Sequence, residues 1–402
     1  MDDSRGHAEA LDAADPLADF RARFVIDDPE LVYLDGNSLG RLPRWTAARL
    51  TGLIRDGWGG DLVRGWDEWI ELPARVGDLV GVGLLAARQD EVVVVDSVTT
   101  NLYRAATAAL DARPGRRVIL VDRDEFPTDR YVLEGLASAR GLVVRWIDRD
   151  PVGGSSVDDV AGRLDDDVAL VVLSHVDYRS AAIADAAAIT SLAHETGAIV
   201  LWDLCHAVGA VPIDLTAWGA DLAVGCTYKY LNAGPGSPAF LYVRSELQDS
   251  LHNPVQGWFG RRDQFAMGPG YDPQRGIRGW LTGTPSVPGL IAVEEGARLS
   301  LEAGIEAIRA KGIALTSYAI ELHDAWLGPL GCTLGSPRDA TRRGSHVSIR
   351  HPDAKAITAR LLAADVVTDF RAPDSIRFGL APLYTRFVDV RSGLDRLRAS
   401  LA

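Results

Sequence analysis

Three lysines occur in this 402-residue chain, and one of them, Lys229, stands where an apolar run ends. Ala223-Val224-Gly225-Cys226-Thr227-Tyr228-Lys229-Tyr230 leads into Leu231-Asn232-Ala233-Gly234-Pro235-Gly236-Ser237-Pro238, too rich in Gly and Pro to be helix or strand interior. A strand therefore delivers one amine, flanked by two tyrosines, into a loop. Desolvation disfavours an ammonium and frees the amine for Schiff-base chemistry on a carbonyl group; the alternative is a solvated lysine in a loop after a strand. Upstream, Ala198-Ile199-Val200-Leu201-Trp202-Asp203 reads as a buried strand ending in an acid, with His206 three residues on. A carboxylate at the C-terminal end of a strand lies where open α/β sheets bind ligands. Pyridoxal 5'-phosphate (PLP) needs such a carboxylate to keep its ring nitrogen protonated, because the pyridinium is its electron sink. Helix N-capping is the other reading of Asp203.

Other stretches offer contacts for the rest of such a ligand. Asp35-Gly36-Asn37-Ser38-Leu39-Gly40 is a turn whose amides and Ser38 hydroxyl suit an anion. The β-branched run Val92 to Val95 hands over to Asp96-Ser97-Val98-Thr99-Thr100 and an Ala-rich helix, whose N-terminus would be a phosphate site or simply a capped end. In Asp124-Glu125-Phe126-Pro127-Thr128-Asp129, Pro127 biases Phe126 to extended geometry, so its ring can stand over a planar ligand. Trp58, Trp66 and Trp69 offer flat apolar faces for packing or for an aromatic ligand.

The elements that must position these residues follow an α/β plan. From Arg117 to Val243 near-continuous apolar strands alternate with helices, as expected of a largely parallel sheet covered on both faces. We expect a flexible tail over residues 1–16, a large domain over 17–285, and a smaller α+β domain with an antiparallel sheet over 286–402. The net charge of -13 and the absence of a basic block argue against duplex nucleic acid and anionic membranes as partners. The cysteines, Cys205, Cys226 and Cys332, are few, and the first two lie in apolar strand patterns. With no signal-peptide pattern at the N-terminus, a reducing cytoplasmic setting is expected.

The ordered set of motifs resembles the kynureninase family of fold-type-I PLP enzymes. The matching stretches are Leu34 to Gly40, Thr99 to Leu102, Phe126 to Asp129, Ser174 to Arg179, Trp202 to His206, Tyr228 to Asn232, Gly257 to Gly260 and Ile376 to Phe378. The resemblance implies a large domain with a mostly parallel seven-stranded sheet, and PLP carried by Lys229, which then moves protons at the substrate Cα. It implies Asp203 on the ring nitrogen with His206 beside it, Phe126 stacked on the ring and Asp129 close by. Val98, Thr99, Tyr228 and Ser180 join the cofactor set, and Trp258 and Thr284 would reach the phosphate from the partner subunit of a homodimer. Arg377 would clamp the α-carboxylate of an amino-acid substrate as a two-pronged pair, with Ser38 near it. Tyr33 or Trp66 would line an aryl pocket. The implied reaction is hydrolysis of the Cβ–Cγ bond of L-kynurenine, or a ring-modified kynurenine, with Tyr228 as proton donor to the ketone.

Ser180-Ala181 stands where the family usually has Thr-Gly, and no histidine lies between His7 and His175, where the animal enzymes carry one tied to 3-hydroxylated substrate. Two other readings compete. A cysteine desulfurase needs a nucleophilic cysteine on a mobile loop, for which Cys332 is the candidate, and a histidine where Phe126 stands. A non-catalytic PLP-fold binding protein would lack Lys229 or carry a DNA-binding appendage.

Overall fold

The computed structural model describes residues 3–401. Its strands are β1 (Val32–Tyr33), β2 (Val92–Val94), β3 (Val118–Asp122), β4 (Val143–Ile147), β5 (Val168–Ser174), β6 (Ile199–Asp203), β7 (Leu222–Gly225), β8 (Phe240–Val243), β9 (Thr333–Leu334), β10 (His346–Arg350), β11 (Val366–Val367), β12 (Asp369–Arg371) and β13 (Ser375–Gly379). Strands β2 to β8 form one sheet in the order β2-β8-β7-β6-β5-β3-β4. Only β8 runs against its neighbours, so the sheet is mostly parallel, as expected. Its inner strands are apolar on both faces because both faces are covered: one side chain set packs with Val76, Leu290 and Val293, the other with Leu102, Leu133 and Trp280. The C-terminal ends of β3, β5, β6 and β7 open on the same edge, which places Asp203, Ser174 and the Lys229 loop side by side.

The small domain carries a four-stranded antiparallel sheet, β12-β13-β10-β9. Its buried core runs from Leu315 to Leu397 and takes in Val32 and Leu34, since β1 pairs with β11. The expected division after residue 285 is displaced. The helix Val287–Ala303 packs in the large-domain core, and the chain turns away only at Gly304, whose φ of +78° suits glycine.

The expectation of a flexible tail fails for the described part of residues 1–16; residues 1 and 2 lie outside the described residues. Arg5–Ala13 is a helix capped by Ser4, with Ala8 fully buried in the small-domain core. Asp12 accepts hydrogen bonds from the backbone of Phe387 and Val388, and Asp15 makes a buried 2.6 Å ion pair with Lys311. An alanine-rich stretch with Leu11 as its one large apolar residue hid this helix, because small side chains suffice where two helices approach closely.

Candidate active site

After β7 the chain turns at Lys229, closed by hydrogen bonds from Asn232 N to Lys229 O and from Ala233 N to Thr227 O, with Asn232 in the left-handed region at φ +56°. Two glycines let other elements press on this turn. Gly40 donates from N to Tyr228 O at 2.8 Å, and a Cβ on it would stand 2.3 Å from Lys229 O. A Cβ on Gly296 would stand 1.8 Å from Leu231 O. The Asp35-to-Gly40 turn and the helix Val287–Ala303 thus hold the loop between them.

The Lys229 amine enters a cavity of about 520 Å³ lined by Val98, Thr99, Phe126, Asp203, His206, Tyr228 and Thr284, among others. Its Nζ lies 3.0 Å from His206 Nε2 and 5.8 Å from the centre of the Phe126 ring. Burial, then the Lys229 charge, holds His206 well below the usual imidazole range, so it faces the amine as a neutral ring. Its Nδ1 is buried with no partner. Asp203 accepts from Cys205 N at 2.6 Å, which fixes its carboxylate at the strand end. Behind it, Asp129 is fully buried with neither oxygen hydrogen-bonded, and burial, then the Asp203 charge, pushes its carboxyl well up. Glu125 is pushed up to about 8 by burial, then Asp122. It accepts from Phe126 N, Ser174 N and Ser174 Oγ at 2.9, 2.8 and 2.6 Å, so it ties the Phe126 turn to the end of β5. At the far wall Ser97 caps the helix Val98–Asp111, and Thr99 Oγ1 lies 2.9 Å from Thr128 Oγ1. A helix N-terminus, a planar-ring face at Phe126, a carboxylate at Asp203, an amine and the orphaned His206 Nδ1 in one cavity fit an anionic ring carbonyl such as PLP.

The remaining expected residues divide. Arg377 is buried and does not line the cavity; it pairs with Asp369 and donates to Tyr178 O and Ser38 Oγ. Ser180 lies behind the wall, donating to Asp177 Oδ1 at 2.9 Å. Its neighbour Ala181 has φ +66°, the physical reason a glycine suits that position. Tyr33 and Trp66 do not line this cavity: Tyr33 donates to Leu39 O at 2.6 Å, and Trp66 packs on Trp69 and Phe259 at 5.6 and 6.0 Å between ring centres. Of the two residues expected to reach the phosphate from a partner subunit, Thr284 lines the cavity of its own chain and Trp258 is 39% exposed and outside it. Cys332, the desulfurase candidate, is buried in the small-domain core. Sequence reasoning passed over Glu125, Asp369 and the buried His346, whose ring centre lies 5.4 Å from that of His206. An acid next to a stacking Phe, and the alternation Asp369-Phe370-Arg371 before Arg377, were the signals available.

Comparison with known proteins agrees with this arrangement. A kynureninase from Pseudomonas fluorescens is 42% identical over 395 residues, covering 96% of this chain and 93% of its own. The chain belongs to the kynureninase family. A Burkholderia mallei kynureninase is 41% identical over 403 residues, covering 98% of this chain and 95% of its own. The family described as Kynureninase C-terminal domain matches residues 308–397. Among solved structures, a cysteine desulfurase from Thermococcus onnurineus superposes with a TM-score of 0.81 at 18% identity, covering 97% of each chain. One from Escherichia coli gives 0.82 at 18%, covering 96% of this chain and 98% of its own. At that identity the likeness speaks for the fold, the PLP fold-type-I architecture seen here.

Proposed function

We propose that this kynureninase-family chain is a PLP-dependent hydrolase that cleaves the Cβ–Cγ bond of L-kynurenine, or of a ring-substituted kynurenine, to anthranilate or its derivative and L-alanine. One observation carries the reading: the Lys229 amine, Asp203, Phe126 and the helix N-terminus at Val98 and Thr99 converge on a single cavity. When bound, PLP supplies an electron sink for negative charge at the substrate Cα. Lys229 holds the cofactor carbonyl and moves the proton at Cα, and the neutral His206 ring 3.0 Å away can accept from its Nζ. Asp203 holds a proton on the ring nitrogen, and Asp129 beside it, its carboxyl pushed up by burial and the Asp203 charge, can stay protonated and donate to that carboxylate. Val98, Thr99 and Tyr228 bind the phosphate, while Arg377 and Ser38 receive the α-carboxylate. The Cys226 charge, then burial, pushes the Tyr228 phenol up, so it stays an O–H able to donate to the ketone oxygen.

The site is shared in a homodimer on this reading. The exposed Trp45 and Trp58, 64% and 68% accessible, and Trp258 are surface for a second copy; light scattering showing an active monomer would refute it. We place the enzyme in the cytoplasm; among the described residues no helix is long and apolar enough to cross a membrane. Incubation of the PLP-loaded protein with kynurenine and with 3-hydroxykynurenine, followed by product masses, tests the activity. Release of neither anthranilate, 3-hydroxyanthranilate nor alanine would overturn it.

A further inference from the structure

Arg377 has no hydrogen-bonding face turned to the cavity. Its side chain is 1% exposed. Nε and Nη2 donate to Asp369 Oδ2, Nη2 also to Ser38 Oγ at 3.2 Å, and Nη1 to Tyr178 O. A guanidinium has five N–H donors, so almost all of its capacity is in use. The arrangement is set by register: on the antiparallel pair β12–β13, Asp369 lies directly opposite Arg377. Cross-strand partners in direct opposition meet side chain to side chain.

Asp369 is overcommitted on the same side. Its Oδ2 alone takes both Arg377 contacts, Ser38 Oγ at 3.2 Å and Arg371 Nη2 at 2.8 Å. Arg371, two residues on and therefore on the same face of β12, is the reverse case. It contributes that one ion-pair contact, and its Nε is buried with no partner. Since β12 is the edge strand of its sheet, it has a neighbour on one side only and can shift more readily than β13.

We propose that Asp369 is the resident carboxylate of the substrate clamp, passed from Arg377 to Arg371 when the α-carboxylate of the substrate arrives. The exchange conserves hydrogen bonds. The incoming carboxylate takes the Arg377 donors that Asp369 gives up, and Asp369 closes a two-pronged pair on Arg371 by accepting from its orphaned Nε as well as Nη2. Asp369 and Arg371 are thereby specificity residues: a ligand without a carboxylate has nothing to exchange for Asp369 and leaves Arg377 closed. This inference rests on Arg377 as the carboxylate site of the proposed function.

The test is equilibrium binding of L-alanine and of L-alaninamide to the PLP-loaded enzyme, followed by the absorbance change of the cofactor at equal occupancy. Asp369→Asn, nearly isosteric, removes the competing charge. L-alanine should then bind about tenfold tighter or more, and alaninamide should change less than about twofold. Arg371→Gln removes the alternate holder and should weaken L-alanine about tenfold, an effect that disappears in the Asp369→Asn background. If Asp369 only orients Arg377, Asp369→Asn weakens L-alanine, and that result overturns the exchange. If Arg377→Gln leaves the preference for alanine over alaninamide unchanged, the assignment of Arg377 falls and the exchange with it.

Discussion

Gly40→Ala puts a methyl where the Lys229 turn already is. The added Cβ would meet Lys229 O and Asn232 Oδ1 at 2.3 Å and Asn232 Cα at 2.8 Å; two of the three struck atoms are backbone, and the third belongs to Asn232, whose own backbone is in the left-handed region. Relief requires the turn and the Asp35-to-Gly40 segment to separate. Forcing a methylene into a packed site costs about 1–3 kcal/mol, and the Gly40 N to Tyr228 O bond lost on separation adds about 1 kcal/mol. The sum is about 2–4 kcal/mol, falling on the segment that aims the amine. Urea unfolding of the apo-protein and titration with PLP read its two destinations. We expect a loss of stability in that range together with at least tenfold weaker PLP binding, since about 1.4 kcal/mol is a factor of ten. Gly52→Ala is the control, because a Cβ there meets nothing within 4 Å. Wild-type stability and PLP affinity in Gly40→Ala would refute the argument that the turn sets the position of Lys229.

Borohydride reduction of the PLP-loaded protein, then peptide mapping, should label Lys229, and Lys229→Ala should keep the fold and lose turnover; a label elsewhere removes the assignment. Asp203→Asn should lower kcat far more than PLP affinity, because an amide cannot hold the ring proton as a carboxylate does, and equal losses in both would mean a structural role. His175 lies outside the cavity, its ring 4.6 Å from that of Trp218, and burial lowers it to about 4 from 6.5. The unfolded chain therefore takes that proton first, so the contribution of His175 to stability is full above about pH 6.5 and falls as pH drops toward 4. At pH 5 the loss is about 2 kcal/mol. His175→Phe should shrink the difference in urea stability between pH 7 and pH 5 by about that amount, and an unchanged difference would show that His175 does not carry it. Arg377→Lys should reduce kcat/KM about ten- to a hundredfold at equal PLP occupancy, for loss of one charge-assisted hydrogen bond of about 1.5–3 kcal/mol; near-identical kinetics would take Arg377 out of the site.

By itself the sequence determined the parallel sheet and the chemistry at its edge. Apolar runs that end in Asp203 and in Tyr228-Lys229 can only be buried strands whose last residues emerge at one edge, and parallel pairing puts those ends together. Phe126 ahead of Pro127, and Ser97 to Thr99 opening a helix, were legible for the same reason: a local conformational rule fixes each. Tertiary structure decided what local rules do not reach. Whether an aromatic residue faces a cavity or a core depends on its neighbours in space, so Tyr33 and Trp66, alike in type to a pocket lining, went to packing instead. The division between domains moved because the helix Val287–Ala303 is apolar enough to serve either core, and its packing in the large-sheet core, with the approach of Gly296 to Leu231 O, shows which one it joins. The hydrogen-bonded cluster at Arg377 joins Ser38, Tyr178 and Asp369 from the first part, the middle and the last part of the chain. No spacing in the sequence encodes that contact, because it depends on the register of an edge strand in one domain and on how that domain seats against the other.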